Sequence, residues 1–219
     1  MLKNCCGKHR RNMMRGLTVF CIVAVPMLFA CATGGHVGVE GNFTTSDGFI
    51  YGINNDLGIT ITGYNGVATD IIIPAMIDGR QVTVIGPGAF KGINKWGKWG
   101  EEYIKVTSLV LPEGLVAIDD GAFCFNRIEE LVIPESVRYI GKNAFAINDI
   151  ELLVISNTLQ HIGRNAFRAD SRRIIINGDG LILETRHGFK KRFVECYNEH
   201  GRSSGEYMSA RGSTRWEKV

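Results

Sequence analysis

The sequence predicts a solenoid, mainly β with short helices, closed by a β cap at the N-terminal end and a helix-plus-hairpin cap at the C-terminal end. Three observations predict it. The stretch from Leu109 reads LVLPEGLVAIDDGAFCFNRIEE, from Leu131 LVIPESVRYIGKNAFAINDIEL, and from Leu153 LVISNTLQHIGRNAF. Ile118, Ile140 and Ile162, and Phe123, Phe145 and Phe167, therefore recur every 22 residues, and a fixed period of this size marks stacked repeats. Each pass opens on a short β-branched run, and the stretches on either side lose the period, as terminal units must.

One pass can be read residue by residue. Leu131-Val132-Ile133 is a strand ended by Pro134, which has no N–H to donate. Val137 and Ile140 form a second apolar pair, Gly141 turns the chain, Ala144-Phe145 follow, and Asn148 marks the next bend. Leu131, Ile133, Val137, Ile140, Ala144, Phe145 and Ile150 are expected to face inward. One unit of 22 residues cannot bury seven such side chains alone, but stacked units can. Alternation along the strand leaves Val132 pointing outward. Its counterparts are Val110, Val154 and, in the first unit, Ile72, and these four are the first candidate partner-binding residues.

The unit P-x-x-V/L-x-x-I-G-x-x-A-F, followed by N-x-I-x-x-L-V-I-P, resembles the BspA-like (treponemal-type) leucine-rich repeat of bacterial surface proteins. It departs from the commoner L-x-x-L-x-L-x-x-N form, with its helix-backed horseshoe. The match is tight over residues 106–167 and looser over 71–90. The resemblance implies a leucine-rich-repeat solenoid of about four 22-residue units over residues 71–170, and an adhesive role toward host or matrix proteins.

The chain begins with Lys3, Lys8, Arg10, Arg11 and Arg15 and no acid before residue 16, then the apolar run LTVFCIVAVPMLFA from Leu17 to Ala30. A positive n-region before an h-region of this length reads as a signal peptide over residues 1–30, too short to span a bilayer comfortably. Leu28-Phe29-Ala30-Cys31 resembles the lipobox of bacterial lipoproteins, which implies lipid attachment at Cys31; an uncleaved anchor or an ordinary signal peptide are the alternatives. A chain starting at Cys31 keeps 20 basic and 22 acidic side chains, net −2 against +3 for the whole. The basic balance thus belongs to the leader and gives no argument for nucleic acid. Cys124 and Cys196 remain as cysteines, too few for a disulfide scaffold or a zinc site.

Residues 31–42 are glycine-rich and read as a flexible tether. Residues 43–70 read as the N-terminal cap, with strand-like runs Phe49-Ile50-Tyr51 and Ile59 to Tyr64 around Asn54-Asn55-Asp56. The first repeat then has five extra residues before Val82, absorbed by a turn at Asp78-Gly79. After Phe90 comes an insertion of 11 residues holding Trp96, Trp99 and Tyr103, a second candidate binding surface, for protein or carbohydrate; the alternative is that these rings cover the flank of the solenoid.

Residues 171–219 read as the C-terminal cap. Ile174-Ile175-Ile176 is a last strand one residue out of frame, and Leu181-Ile182-Leu183 is a candidate to pair back. Phe189, Phe193 and Tyr197 have helical spacing, with Gly201 as the stop. Gly205 to Met208 and Thr214 to Trp216 suggest a hairpin. The spacing of Phe193, Tyr197, Gly201, Gly205, Tyr207 and Trp216 resembles the segment that follows such repeats in treponemal proteins. Residues 186–219 carry eight basic and four acidic side chains, which reads as a solvated face.

No catalytic or cofactor motif is present: no G-x-S-x-G, P-loop or H-E-x-x-H, and His161 shares a variable surface column with Tyr139 and Ala117. No enzyme, metal or cofactor is expected. The expected function is a lipid-anchored protein of the bacterial envelope that offers its repeat surface to a protein partner. A periplasmic scaffold, or carbohydrate binding through the aromatic loop 91–105, are the alternatives.

Overall fold

Each coil opens on a three-residue strand whose middle side chain is buried and whose outer two are exposed: β4 Asp70–Ile72, β7 Ser108–Val110 and β9 Glu130–Val132. The longer β11 Leu152–Ser156 and β13 Arg173–Asn177 continue the series. A computed structural model describes residues 38–56, 58–92, 105–167, 171–209 and 215–219. In it the strands of successive coils run parallel, Ile71 against Leu109, and Leu131 against Leu153 against Ile174. There are thus five coils where the period suggests about four. The fifth, β13, lies in the stretch read as cap, because the step from Leu153 to Ile174 is 21 residues rather than 22.

A second strand in each coil builds the opposite sheet: β6 Arg80–Ile85, β8 Ala117–Ile118, β10 Tyr139–Ile140 and β12 His161–Ile162. All are parallel, with Ile85, Ile118, Ile140 and Ile162 in register and buried. A short β5, Met76–Ile77, folds back on β6 through Asp78 and Gly79, both at positive φ. This is the turn that takes up the extra residues of the first unit.

All seven expected inward residues are buried at 3 % exposure or less. Between the sheets runs a column of rings: Phe90, Phe123, Phe145 and Phe167 stack at 5.0, 5.3 and 5.9 Å with planes within 8° of parallel, and Phe189 lies 5.4 Å beyond. Beside it Asn126 and Asn148 are buried. Asn148 Nδ2 donates to the carbonyls of Phe123 (2.9 Å) and Phe145 (3.0 Å), while its Oδ1 accepts from the Ile128 N–H at 3.1 Å. Asn126 does the same one coil earlier, toward Phe90, Phe123 and Val106. Asn148 is therefore a bracket between coils. The bend itself is carried by Ile147, at φ 59°.

Gly141 does not turn the chain by a positive φ. A Cβ there would stand 2.5 Å from the Asp120 nitrogen, and one on Gly163 would stand 2.4 Å from the Gly141 carbonyl carbon, so glycine is needed for close approach between coils. The left-handed position two residues later is held by Gly88, Gly121, Asn143 and Asn165 in successive coils, the residue types that tolerate it.

The two caps cover opposite sheets. β1 Val39–Thr44, β2 Phe49–Asn54 and β3 Ile59–Tyr64 are antiparallel neighbours, and β3 pairs in parallel with β6. The first four residues of β1, Val39 to Asn42, are ones the glycine content assigns to a tether, with Gly41 at φ 85° in a bulge of the β1–β2 pair. At the other end β14 Gly205–Met208 pairs antiparallel with β13, and β15 Glu217–Lys218 with β14. Leu181-Ile182-Leu183 forms no strand; Leu181 and Leu183 are buried in coil leading to a 3₁₀ turn, Thr185–His187. Helix α1, Lys191–Glu199, begins after Phe189, which belongs to the ring column instead. The helix ends in a Schellman motif at Gly201: Arg202 N–H donates to Tyr197 O and Gly201 N–H to Asn198 O. Phe193, Tyr197, Tyr207 and Trp216 pack as one aromatic cluster over the last coil. Cys124 and Cys196 are buried and free.

Candidate binding surface

The outer face of the β4–β13 series is set by strand alternation, because burying Ile71, Leu109, Leu131, Leu153 and Ile174 forces their neighbours outward. Ile72 is 71 % exposed, Val110 51 % and Val132 56 %, while Val154 is half-buried. Ile72 stands opposite Val110 and Val132 opposite Val154. Ile175 stands opposite Val154 and is a fifth member that the sequence reading left out. Its signal was the alternation Ile174-Ile175-Ile176, read one residue out of frame.

The column comes in two pieces. β4 and β7 form a two-stranded sheet, and β9, β11, β13, β14 and β15 a five-stranded one. β7 packs beside β9 without a hydrogen-bonded ladder, so the expected unbroken stack of strands is corrected to two adjoining sheets. The next column along is polar at both ends, running Asp70, Ser108, then Glu130, Leu152, Arg173. At the C-terminal end Glu206 faces Ile175 and takes a two-pronged bond from Arg173, at 2.5 and 3.2 Å. The pairing holds the Arg173 guanidinium charged beyond its ordinary range. Trp96, Trp99 and Tyr103 lie outside the described residues, as does Cys31; their segment leaves after Gly92 and returns at Lys105, five residues before Val110.

This face offers branched apolar side chains with charged residues at its two ends. Among the described residues no group of three His, Cys, Asp or Glu could hold a metal, and no helix is long and apolar enough to cross a membrane. Burial pushes both thiols above their ordinary value, which disfavours the reactive thiolate. A cavity of about 460 Å³ beside α1 is lined by Arg192, Glu195, Cys196, His200 and Trp216 among others. Its Cys196 Sγ is 3.8 Å from His200 Nδ1, but that nitrogen is already bonded to the Cys196 carbonyl at 2.8 Å. It is not placed to act as a base.

A match to a known repeat family agrees with this architecture. The BspA type leucine rich repeat region matches residues 68–176 in six copies. A leucine-rich repeat protein of T. pallidum is 28 % identical, with a TM-score of 0.42, over 57 % of this chain and 65 % of its own. A leucine-rich repeat protein from Bacteroides ovatus is 19 % identical (TM-score 0.39, 58 % of this chain and 38 % of its own). The pneumococcal vaccine antigen PcpA is 18 % identical (TM-score 0.38, 64 % and 50 %). The chain thus spans less than two thirds of each of these structures. No curated protein matches it.

Proposed function

We infer, from the premise that this chain belongs to the BspA-type leucine-rich repeat family through residues 68–176, that it is a non-enzymatic binding protein whose outer sheet face takes a protein partner. The observation that carries this reading is the column Ile72, Val110 and Val132, each more than half exposed and continued by Val154 and Ile175. An apolar patch maintained on a soluble surface, with charged residues at its rim, is the anatomy of an interaction site. Strand propensity alone would be met by threonine. Replacing Val110, Val132 and Val154 together by threonine keeps the branching and removes much of the apolar surface. The triple variant is expected to melt near the parent and to lose capture of the native partner from envelope or host extracts. Undiminished capture by the folded variant overturns the reading.

The same reading places the protein at the bacterial envelope, held by lipid on Cys31. Its support is the basic n-region, the apolar run and Leu28-Phe29-Ala30-Cys31. Each buried methylene contributes about 0.8 kcal/mol, so several acyl chains hold a protein firmly where one does so marginally. Labelled fatty acid is expected on the parent and not on Cys31→Ser. An unlabelled parent that keeps its leader makes that segment an anchor instead.

A further inference from the structure

A charge gradient runs along one corner of the solenoid, away from the face just described. Asp120, Lys142 and Arg164 occupy the same place in successive coils, and Arg186 the place after them. Backbone bonds between coils fix this order: Gly121 N–H to Lys142 O at 2.9 Å, Asn143 N–H to Arg164 O at 3.0 Å, and Asn165 N–H to Arg186 O at 2.7 Å. All four side chains are exposed. Arg186 reaches Glu184 at 2.7 Å, whereas Lys142 and Arg164 have no side-chain partner among the described residues.

The first coil of the series shows what this corner holds. Asp120 Oδ1 accepts the Lys142 N–H at 2.6 Å, a short charge-assisted bond. One coil on, the corresponding N–H is that of Arg164, and the residue in the place of Asp120 is Lys142. No described residue accepts from that N–H. The chain there supplies the same donor, now between two cations, and no acid of its own. Three residues earlier in each coil Tyr139 and His161 stack at 4.7 Å, so a hydroxyl and an imidazole repeat at the interval of the cations.

We propose that Lys142, Arg164 and Arg186, with the Arg164 N–H, form a binding track for an acidic polysaccharide, one carrying carboxylate or sulfate groups. The spacing suits a linear polyanion of short repeat. Successive coils are one strand spacing apart, about 4.8 Å, close to the advance of one pyranose ring along a polysaccharide. This track stands apart from the outer-face reading and does not depend on it.

The test is binding of the full chain to immobilised heparin, with poly-L-glutamate and neutral dextran as competitors, across a salt series. Heparin is expected to bind with an affinity that falls as salt rises, and dextran not to compete. Arg164→Ala should weaken binding about ten-fold, the usual cost of one charge-assisted contact. Lys142→Asp rebuilds on the Arg164 N–H the carboxylate that Asp120 supplies one coil earlier. It should abolish heparin binding while the thermal midpoint stays at the parent value. Asp120→Lys lengthens the track by a coil and should tighten binding. The Val110, Val132 and Val154 triple variant should bind heparin unchanged. Equal heparin affinity in the parent, Arg164→Ala and Lys142→Asp overturns the proposal, and so does poly-L-glutamate competing as well as heparin.

Discussion

Phe145 is the residue on which the packing argument turns. It is fully buried and stacked on both sides, against Phe123 at 5.3 Å and Phe167 at 5.9 Å. Phe145→Ala removes a ring from the middle of a column that cannot collapse without moving two coils, and should cost about 3–5 kcal/mol. Lys142→Ala, three residues away and exposed, should stay within about 0.5 kcal/mol. Denaturant melts check both, and equal losses contradict the inward and outward assignment. The inward residues were legible in the sequence because the repeat states each of them but Ile150 as apolar three times. Asn148 and Gly141 were legible as special positions but not for the right cause. Within one coil an asparagine and a glycine suggest turns. Only with the next coil in place does Asn148 become a bracket on Phe123, Phe145 and Ile128, and Gly141 a point of contact with Asp120.

At the scale of elements, the repeat strands follow from alternation and the caps do not. β1 is exposed along its whole length, so no apolar pattern announced it, and only pairing with β2 makes it a strand. The 3₁₀ turn Thr185–His187 was hidden for the opposite reason: it imitates the tight corners of the repeat with different residues. Phe167 N–H donates to His187 O at 3.0 Å, as Phe145 N–H does to Ala166 O at 2.9 Å. His187 is buried, and its Nδ1 accepts the Glu184 N–H at 3.2 Å, which requires that nitrogen unprotonated. Burial lowers its pKa below the ordinary 6.5; Glu184 opposes this, while Arg186 and His161 add to it. The unfolded chain therefore takes up the proton first as pH falls. The contribution of this group to stability is complete above about 6.5 and is lost below it, down through the folded-state pKa. Between pH 7.5 and 5.5 the parent should lose thermal stability, and His187→Gln should lose less. Identical pH slopes contradict this role for His187.

At the scale of the molecule, one apolar cluster runs unbroken from Phe49 in the first cap to Trp216 in the last, so the coils and both caps share a core. The caps extend opposite sheets, and among the described residues the outer β4–β13 face lies open at Ile72, Val110 and Val132. That openness makes the face the candidate for partner binding, and the exposure of Ile72, Val110 and Val132 was legible from strand alternation. The break between β7 and β9 was not, because hydrogen-bond pairing between coils leaves no mark on a 22-residue period. The most direct measurement is photo-crosslinking on cells that express the protein, with a photoreactive side chain placed at residue 132 in one variant and at residue 147, which is also exposed but lies beyond the strand, in another. A discrete protein adduct is predicted from residue 132 and none from residue 147. Adducts from residue 147 with none from residue 132 would contradict the assignment of the outer sheet face as the binding surface.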